Sequence, residues 1–351
     1  MRSSLLLSWV PALALAGAPT AKGTLGDVPV TVTASSELPG KSGRPYSVGN
    51  LLDGDPATAW VEGVDGLGVG QELRFAFGEP RSVEGFLVWP GYGKSGAVYT
   101  GNATTHEVTV TVGEPQRLTL RQPVVMNESE GATGPGGREG MTCGHVDRPG
   151  GRAAQVVLWD SVRNADAATL RVEAVLAGEK WTDLAISEAR PLLVGVSDPL
   201  PGVEHARAFL RSLRDGPSAS TPERVLDLRE HRDAARRAEL ATWAAWGVPD
   251  KPAPPPVLGP EASKDERAEA AAAFLAATRP QLLGVTVAVV PIARGTWVVG
   301  ARSGTFGDGE WLELSPAVLL GRDGAILEMT ELPYSDGAPG CHDVLPPLPG
   351  V

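Results

Sequence analysis

One stretch of the chain, residues 46–63, reads YSVGNLLDGDPATAWVEG. Its centre brings the oxygen-bearing side chains of Asp53, Asp55 and Thr58 close together in sequence, with apolar residues on both sides. Calcium takes roughly six to eight oxygen ligands, including backbone carbonyls, so such a turn can bind the ion. Asp and Asn side chains also stabilise turns without a metal, by hydrogen bonding to their own backbone. The residues alone favour the metal-free turn, leading directly into a strand at Trp60.

Short runs of alternating apolar residues surround this turn between residues 28 and 194. They lie at Val28, Val30 and Val32, at Leu73, Phe75 and Phe77, at Val108, Val110 and Val112, and at Leu170, Val172 and Ala174. Because successive side chains of a strand point to opposite faces, this period indicates half-buried strands. Turn residues separate the runs, as in antiparallel sheets. Residues 28–196 are therefore predicted to form an all-β jelly-roll sandwich, with a Gly-rich loop inserted at 122–152.

The apolar period becomes helical after residue 200. One helix is predicted from the apolar face that begins at Val203, a second from the start signal Thr221-Pro222, and a third from Ser263 and Glu266, which have the spacing of a capping box. The third helix is predicted to end at Pro280, and about four strands follow it. The chain is therefore predicted to have two domains, the sandwich and a small α+β domain at 200–345 that contains a Pro-rich segment at 249–260.

The first residues have the features of an export signal. Arg2 precedes an apolar run, and Ala14-Leu15-Ala16 matches the small-residue pattern at which signal peptides are cleaved. Residues 1–16 are therefore predicted to be a signal peptide, and the mature chain is expected in the periplasm or outside the cell. No later apolar stretch is long enough for a transmembrane segment.

The chain contains two cysteines, Cys143 and Cys341. In an exported protein such a pair is expected to form a disulfide. The alternative is a zinc site with the neighbouring His145 and His342, although the spacing matches no zinc signature.

Charge and motifs exclude several classes of function. The formal net charge of −11 leaves no basic field for a nucleic-acid partner. The sequence has no nucleophile elbow, no zinc-protease motif and no phosphate-binding loop with its lysine. An enzyme with its active site in residues 200–351 remains an alternative, for which Asp308, Glu310 and Glu313 near Trp311 are the first candidates; a polar strand edge also explains them.

Four pieces of sequence occur in the order of a known family. They are the opening stretch at 46–63, then DGLGVGQ at 65–71, then GYGKS at 91–95 followed by Tyr99 and Asn102, and finally WTDLAISE at 181–188. Together they resemble discoidin-like (F5/8 type C) domains, in the branch of the NAD glycohydrolase translocation domain, also called the NADase-type glycan-binding domain. The resemblance covers about residues 28–194, and residues 200–351 resemble no family.

The resemblance implies a non-catalytic sandwich that binds a glycan or another cell-surface ligand with loops at one end. It implies ligand contacts from Tyr92, Lys94, Tyr99, Asn102 and Trp60. It also implies a structural calcium ion held by Asp53, Asp55, Thr58 and Glu188. For Trp60 the alternative is core packing, since it adjoins a strand pattern. The sequence departs from the family at Ala103-Thr104-Thr105, where polar, basic residues are usual. Beside the enzyme, a structural or adhesion protein is the remaining alternative.

Overall fold

A computed structural model describes residues 17–40, 46–120, 153–216, 224–225, 262–293, 295–301 and 312–335. The predicted signal peptide, the insertion at 122–152 and the Pro-rich segment at 249–260 lie outside the described residues. So do both cysteines, Asp308 and Glu310, and the side chain of Glu313. Among the described residues, no helix is long and apolar enough to cross a bilayer.

The N-terminal half consists mainly of strands. They are β1 (Thr20–Leu25), β2 (Val28–Ala34), β3 (Trp60–Val61), β4 (Glu72–Pro90), β5 (Ala103–Val112), β6 (Glu114–Thr119), β7 (Ala154–Leu176) and β8 (Leu184–Leu193). A short 3-10 helix, Val48–Leu52, precedes the Asp-rich turn, and a short helix, α1 (Gly96–Gly101), follows the 91–95 loop. The two long strands β4 and β7 pair with each other along most of their length.

The predicted alternation of apolar residues is confirmed. Val30, Val32, Leu73, Phe75, Val108, Val110, Leu170 and Val172 are all buried, and they meet in one apolar core enclosed by the strands. Trp60 is fully buried in this core, and its indole Nε1 donates a 2.9 Å hydrogen bond to the carbonyl of Ser36. The N-terminal half is therefore a β-sandwich built around this core.

The C-terminal half contributes helices α2 (Val203–Asp215) and α3 (Lys264–Leu282) and strands β9 (Arg224–Val225), β10 (Thr286–Ile292), β11 (Gly295–Val299), β12 (Leu312–Gly321) and β13 (Ile326–Ser335). The capping box at Ser263 and Glu266 is confirmed. The third helix does not end at Pro280 but continues to Leu282. The helix predicted from Thr221 is wrong at Arg224 and Val225, which instead pair with Glu328 and Met329 of β13 and gain backbone hydrogen bonds at the sheet edge.

The two halves share one sheet. Strand β10 pairs antiparallel with the first residues of β7, from Thr286 opposite Val157 to Val289 opposite Ala154. Residues on the outer face of the sandwich, among them Leu87 and Val156, are buried in a second apolar core together with α2 and α3. The division into two domains near residue 200 therefore stays a prediction, because strands and core continue across it.

Candidate functional site

The loop Gly91–Ser95 lies at the end of the sandwich where β4 ends and β8 begins. The backbone of Gly91 exchanges hydrogen bonds with β8, since its N–H donates to the carbonyl of Ala185 and its carbonyl accepts from Ser187, both at 3.0 Å. The N–H of Gly93 donates to the hydroxyl of Ser187 at 2.9 Å. The loop is thus fixed to the sheet by its own backbone, and its side chains are presented on a rigid base.

Tyr92 and Lys94 are the members of the predicted ligand set that reach solvent from this loop. The ring of Tyr92 is half-buried and makes an edge-to-face contact with Tyr46, with ring centroids 6.4 Å apart. Both tyrosines pack against a small apolar cluster that contains Ala59 and Val61. Lys94 is exposed.

Tyr99 and Trp60 are corrections to the predicted ligand set, because both side chains are buried. Tyr99 is 1% exposed, and its ring lies against Gly91, where a Cβ atom would come within 2.5 Å of the ring. Asn102 ends α1, and its side-chain Nδ2 donates to the carbonyl of Val98 at 2.7 Å. Tyr99 therefore supports the loop at Gly91, whereas Trp60 belongs to the core of the sandwich and Asn102 is half-buried at the end of α1. Tyr92 and Lys94 form the surface of the loop.

Trp181 is an exposed aromatic residue that the sequence-based ligand set missed. The residue as a whole is 39% exposed, and its backbone N–H donates a hydrogen bond to the carbonyl of Gly101 at 2.7 Å. The indole ring lies on Gly101, where a Cβ atom would come within 2.6 Å of the ring. The ammonium of Lys180 lies 4.6 Å from the ring centroid, a cation–π contact. In the sequence, Trp181 stands among the polar residues of 178–183, a pattern that indicates an exposed aromatic side chain.

The loop at 91–95, helix α1 and the turn at 178–181 are contiguous, and we call them the ligand end. Helix α1 joins the other two parts, because Tyr99 near its end supports Gly91 while Gly101 supports Trp181. The N–H groups of Glu179 and Lys180 also donate to carbonyls of Thr100 and Gly101. The ligand end therefore combines two aromatic side chains with two lysines on a hydrogen-bonded frame.

The Asp-rich turn is closed by hydrogen bonds to its own side chains. Asp53 accepts hydrogen bonds from the N–H of Asp55 at 2.9 Å and from the hydroxyl of Thr58 at 2.7 Å. Asp55 accepts from the N–H of Ala57 at 2.9 Å. The turn contacts the ligand end through Ser187, whose hydroxyl donates to the carbonyl of Pro56 at 2.8 Å.

Glu188 lies next to this turn and is fully buried. Burial raises the pKa of Glu188 to about 8; Arg190 opposes this shift, and the neighbouring Asp53 carboxyl adds to it. One carboxylate oxygen of Glu188 pairs with Arg190, whereas the other, Oε1, is buried without a hydrogen-bond partner. A buried unpaired oxygen is costly unless a proton or a cation satisfies it.

The donor set fits a hard cation in part. The unpaired oxygen of Glu188 and the exposed carboxylate of Asp53 are of the kind that calcium prefers, with the hydroxyl of Thr58 beside them. In the part of the chain that the structure describes, however, no three Asp, Glu, His or Cys side chains cluster as a metal site. Both carboxylate oxygens of Asp53 and one of Asp55 accept hydrogen bonds within the turn, so a bound cation would share these oxygens with the turn. Backbone carbonyls would have to complete the shell.

Comparisons with known proteins find a match for most of the N-terminal half. Residues 24–190, just under half of the chain, match the family model of the NAD glycohydrolase translocation F5/8 type C domain. One similar solved structure is the family 32 CBM from C. perfringens NanJ in complex with galactose. It is 16% identical, the match covers 46% of this chain and 92% of that chain, and the TM-score is 0.28. A pectin-binding carbohydrate-binding module has 13% identity over 48% of this chain and 92% of that chain, with a TM-score of 0.28. No curated protein matches the chain.

Proposed function

We propose that the NAD glycohydrolase translocation F5/8 type C domain at residues 24–190 is the glycan-binding module of an exported protein, and that it binds its ligand at the ligand end. The observation that carries this proposal is Trp181, an exposed indole seated on the backbone of Gly101. A large aromatic side chain that packs on the backbone yet stays partly exposed is typical of a binding surface rather than of a core.

The chemistry of the ligand end suits a sugar. Indole and phenol rings offer flat apolar faces, against which the C–H faces of a sugar ring can pack. Lys94 and Lys180 are exposed at the ligand end, Lys180 beside the indole of Trp181, and both can donate hydrogen bonds to hydroxyl or carboxylate oxygens. A small number of polar groups around an aromatic surface is the usual composition of a small-molecule site.

A glycan array with the full chain tests this proposal, with Trp181→Ala as the variant. We expect the wild-type protein to bind a defined set of glycans and the variant to lose at least about tenfold in affinity, since exposed aromatic anchors dominate such contacts. The matched control is Val194→Ala. Val194 is also an exposed apolar residue, at 48%, but it follows β8 at the far end of that strand from the ligand end.

Two outcomes would contradict the glycan proposal. A folded wild-type chain that binds no glycan on the array would point to a protein ligand or an adhesion role. Equal losses in Trp181→Ala and Val194→Ala would show that the effect does not come from the ligand end.

The same domain is proposed to hold a calcium ion between Asp53 and Glu188. An ion that binds only the folded state stabilises it. Calcium at 100 times its Kd is therefore expected to raise the free energy of unfolding by about 2.7 kcal/mol, and with it the melting temperature. Glu188→Gln should fold without calcium, since the amide resembles the protonated carboxyl, and should lose the response. Thermal melts in calcium and in EDTA measure this. An equal melting temperature in both for the wild-type chain would remove the calcium proposal.

The N-terminal segment and residues 200–345 are proposed to serve export and support of the sandwich. The N-terminal pattern supports export, and sequencing the N-terminus of the secreted protein tests cleavage after Ala16. Residues 200–345 are proposed to form an α+β unit that supports the sandwich, because α2 and α3 cover the outer face of β4, β7 and β8.

A further inference from the structure

Strand β8 connects the Asp-rich turn to the beginning of the C-terminal half. The Ser187 hydroxyl is hydrogen-bonded both to Pro56 of the Asp-rich turn and to Gly93 of the 91–95 loop. The next residue, Glu188, is a neighbour of Asp53. Two residues further along the strand, Arg190 is buried and only 1% exposed. It pairs with Glu188 on one side and on the other donates two hydrogen bonds to Asp198, at 2.7 and 2.8 Å. Arg190 is therefore held by both neighbours at once.

Asp198 connects Arg190 to helix α2. Its carboxylate accepts from the N–H of Leu200 at 2.9 Å, and its own N–H donates to Glu204 in the first turn of α2, also at 2.9 Å. Glu204 in turn accepts from Arg207 at 2.5 Å. A continuous series of hydrogen-bonded charges thus runs from Glu188, which lies next to the Asp-rich turn, to α2.

Arg207 anchors the other end of the series to the sandwich. It donates to Glu84 of β4 and to the carbonyls of Leu193 and Val196, in addition to Glu204. Every N–H of this buried guanidinium therefore has a partner. The position of α2 relative to the sheet is set by these charges as well as by apolar packing.

The segment between β8 and α2 borders a cleft. A cleft of about 320 Å³ lies between this segment and the β1–β2 turn, and Arg190, Val196, Asp198 and Leu25 are among its lining residues. The ion pairs that Arg190 makes with Glu188 and Asp198 lie at the wall of this cleft and connect the segment to β8.

We propose that Arg190 couples the Asp53–Glu188 pair to α2, so that a divalent cation bound at the pair and the docking of α2 on the sandwich favour each other. The inference rests on the proposed calcium site. A cation that fixes Glu188 fixes one of the two partners of Arg190, and Arg190 then holds Asp198 and the start of α2 more firmly. The coupling is reciprocal by thermodynamic linkage, so firm docking of α2 also strengthens cation binding.

Hydrogen exchange of the full chain, measured by mass spectrometry in calcium and in EDTA, tests this coupling. In the wild-type protein we expect calcium to slow amide exchange about fivefold or more both in the turn at 53–58 and in α2, since coupling of this kind typically changes an equilibrium by that factor. Asp198→Asn should keep the slowing at 53–58 and lose it in α2. The matched control is Glu79→Gln, which removes an exposed carboxylate that pairs with Arg81 outside the series; both effects should remain.

The results separate the coupling from the cation site. Slower exchange at 53–58 with unchanged exchange in α2 of the wild-type chain would overturn the coupling and leave the cation site. No calcium effect at 53–58 would overturn the cation site and the coupling together. The wild-type comparison decides both questions even if Asp198→Asn does not fold.

Discussion

A fragment of residues 17–198 is expected not to fold cooperatively, although it contains all of the residues that match the family model. Leu87, Val156, Leu158 and Leu192 are at most 2% exposed in the whole chain, and they pack in the core that α2 and α3 complete. Burial of each such side chain stabilises the fold by roughly 1.5–3 kcal/mol. Their exposure would cost about 6–12 kcal/mol, which is comparable to the whole stability of a typical domain, about 5–15 kcal/mol.

Polar groups that lose their partners would destabilise the fragment further. Without the C-terminal half, the edge of β7 that pairs with β10 has no partner, and Glu84 loses the arginines that neutralise it. Thermal melts monitored by near-ultraviolet circular dichroism measure whether the fragment folds cooperatively. A fragment of residues 17–335 is the control. A sharp melt of the monomeric 17–198 fragment, close in temperature to that of the control, would show that the two halves are separate domains.

Glu84→Gln is expected to destabilise the full chain by about 3–5 kcal/mol, the usual cost of breaking a buried ion pair from one side. Glu84 is 1% exposed and accepts hydrogen bonds from Arg207 and Arg211, while Arg214 lies 3.8 Å away. The amide removes the charge and leaves Arg207 buried with the partly exposed Glu204 as its remaining acidic partner. Urea denaturation measures the change as a lower midpoint with an unchanged slope.

The matched control for this variant is Glu79→Gln. Glu79 is 65% exposed and pairs with Arg81 on the same strand, so its removal should cost less than about 1 kcal/mol. If the two variants lose similar stability, the arginine cluster at Glu84 does not hold α2 to the sandwich.

The pH dependence of stability should change in the same variant. Burial alone would raise the pKa of Glu84, but its hydrogen bonds and charge interactions with Arg211 and Arg207 outweigh burial and lower it below its usual 4.5. A lowered pKa contributes stability above the unfolded value of 4.5, and this contribution is lost as the pH falls through the folded value. Urea midpoints below pH 5 should therefore fall less steeply in Glu84→Gln than in the wild-type chain.

The strands of the sandwich could be predicted because their signal is local. Alternation at positions such as Val108 and Val110 reports directly which side chains face the core. The capping box at Ser263 and the hydrogen-bonded turn at Asp53 are also determined within a few residues, and both were predicted. The edge strand at Arg224 was not, because its partner in β13 is distant in the sequence.

The candidate site could be predicted only in part, because exposure depends on distant residues. Tyr92 and Tyr99 look alike in sequence, yet Tyr99 is buried because Gly91 leaves space for its ring. Trp181 is at the surface because its turn rests on Gly101. The ion pair between Glu84 and Arg207 joins residues 123 positions apart, and no sequence period reports such a pair.

The most direct test of the central claim, binding at the ligand end, is the indole N–H region of an NMR spectrum of the full chain during titration with the best glycan from the array. The resonance of Trp181 is assigned by its absence in Trp181→Ala. We expect the added glycan to shift this resonance progressively, while those of the buried Trp60, Trp159 and Trp297 stay in place. A glycan that binds without moving the Trp181 resonance would contradict the account and place the binding surface elsewhere.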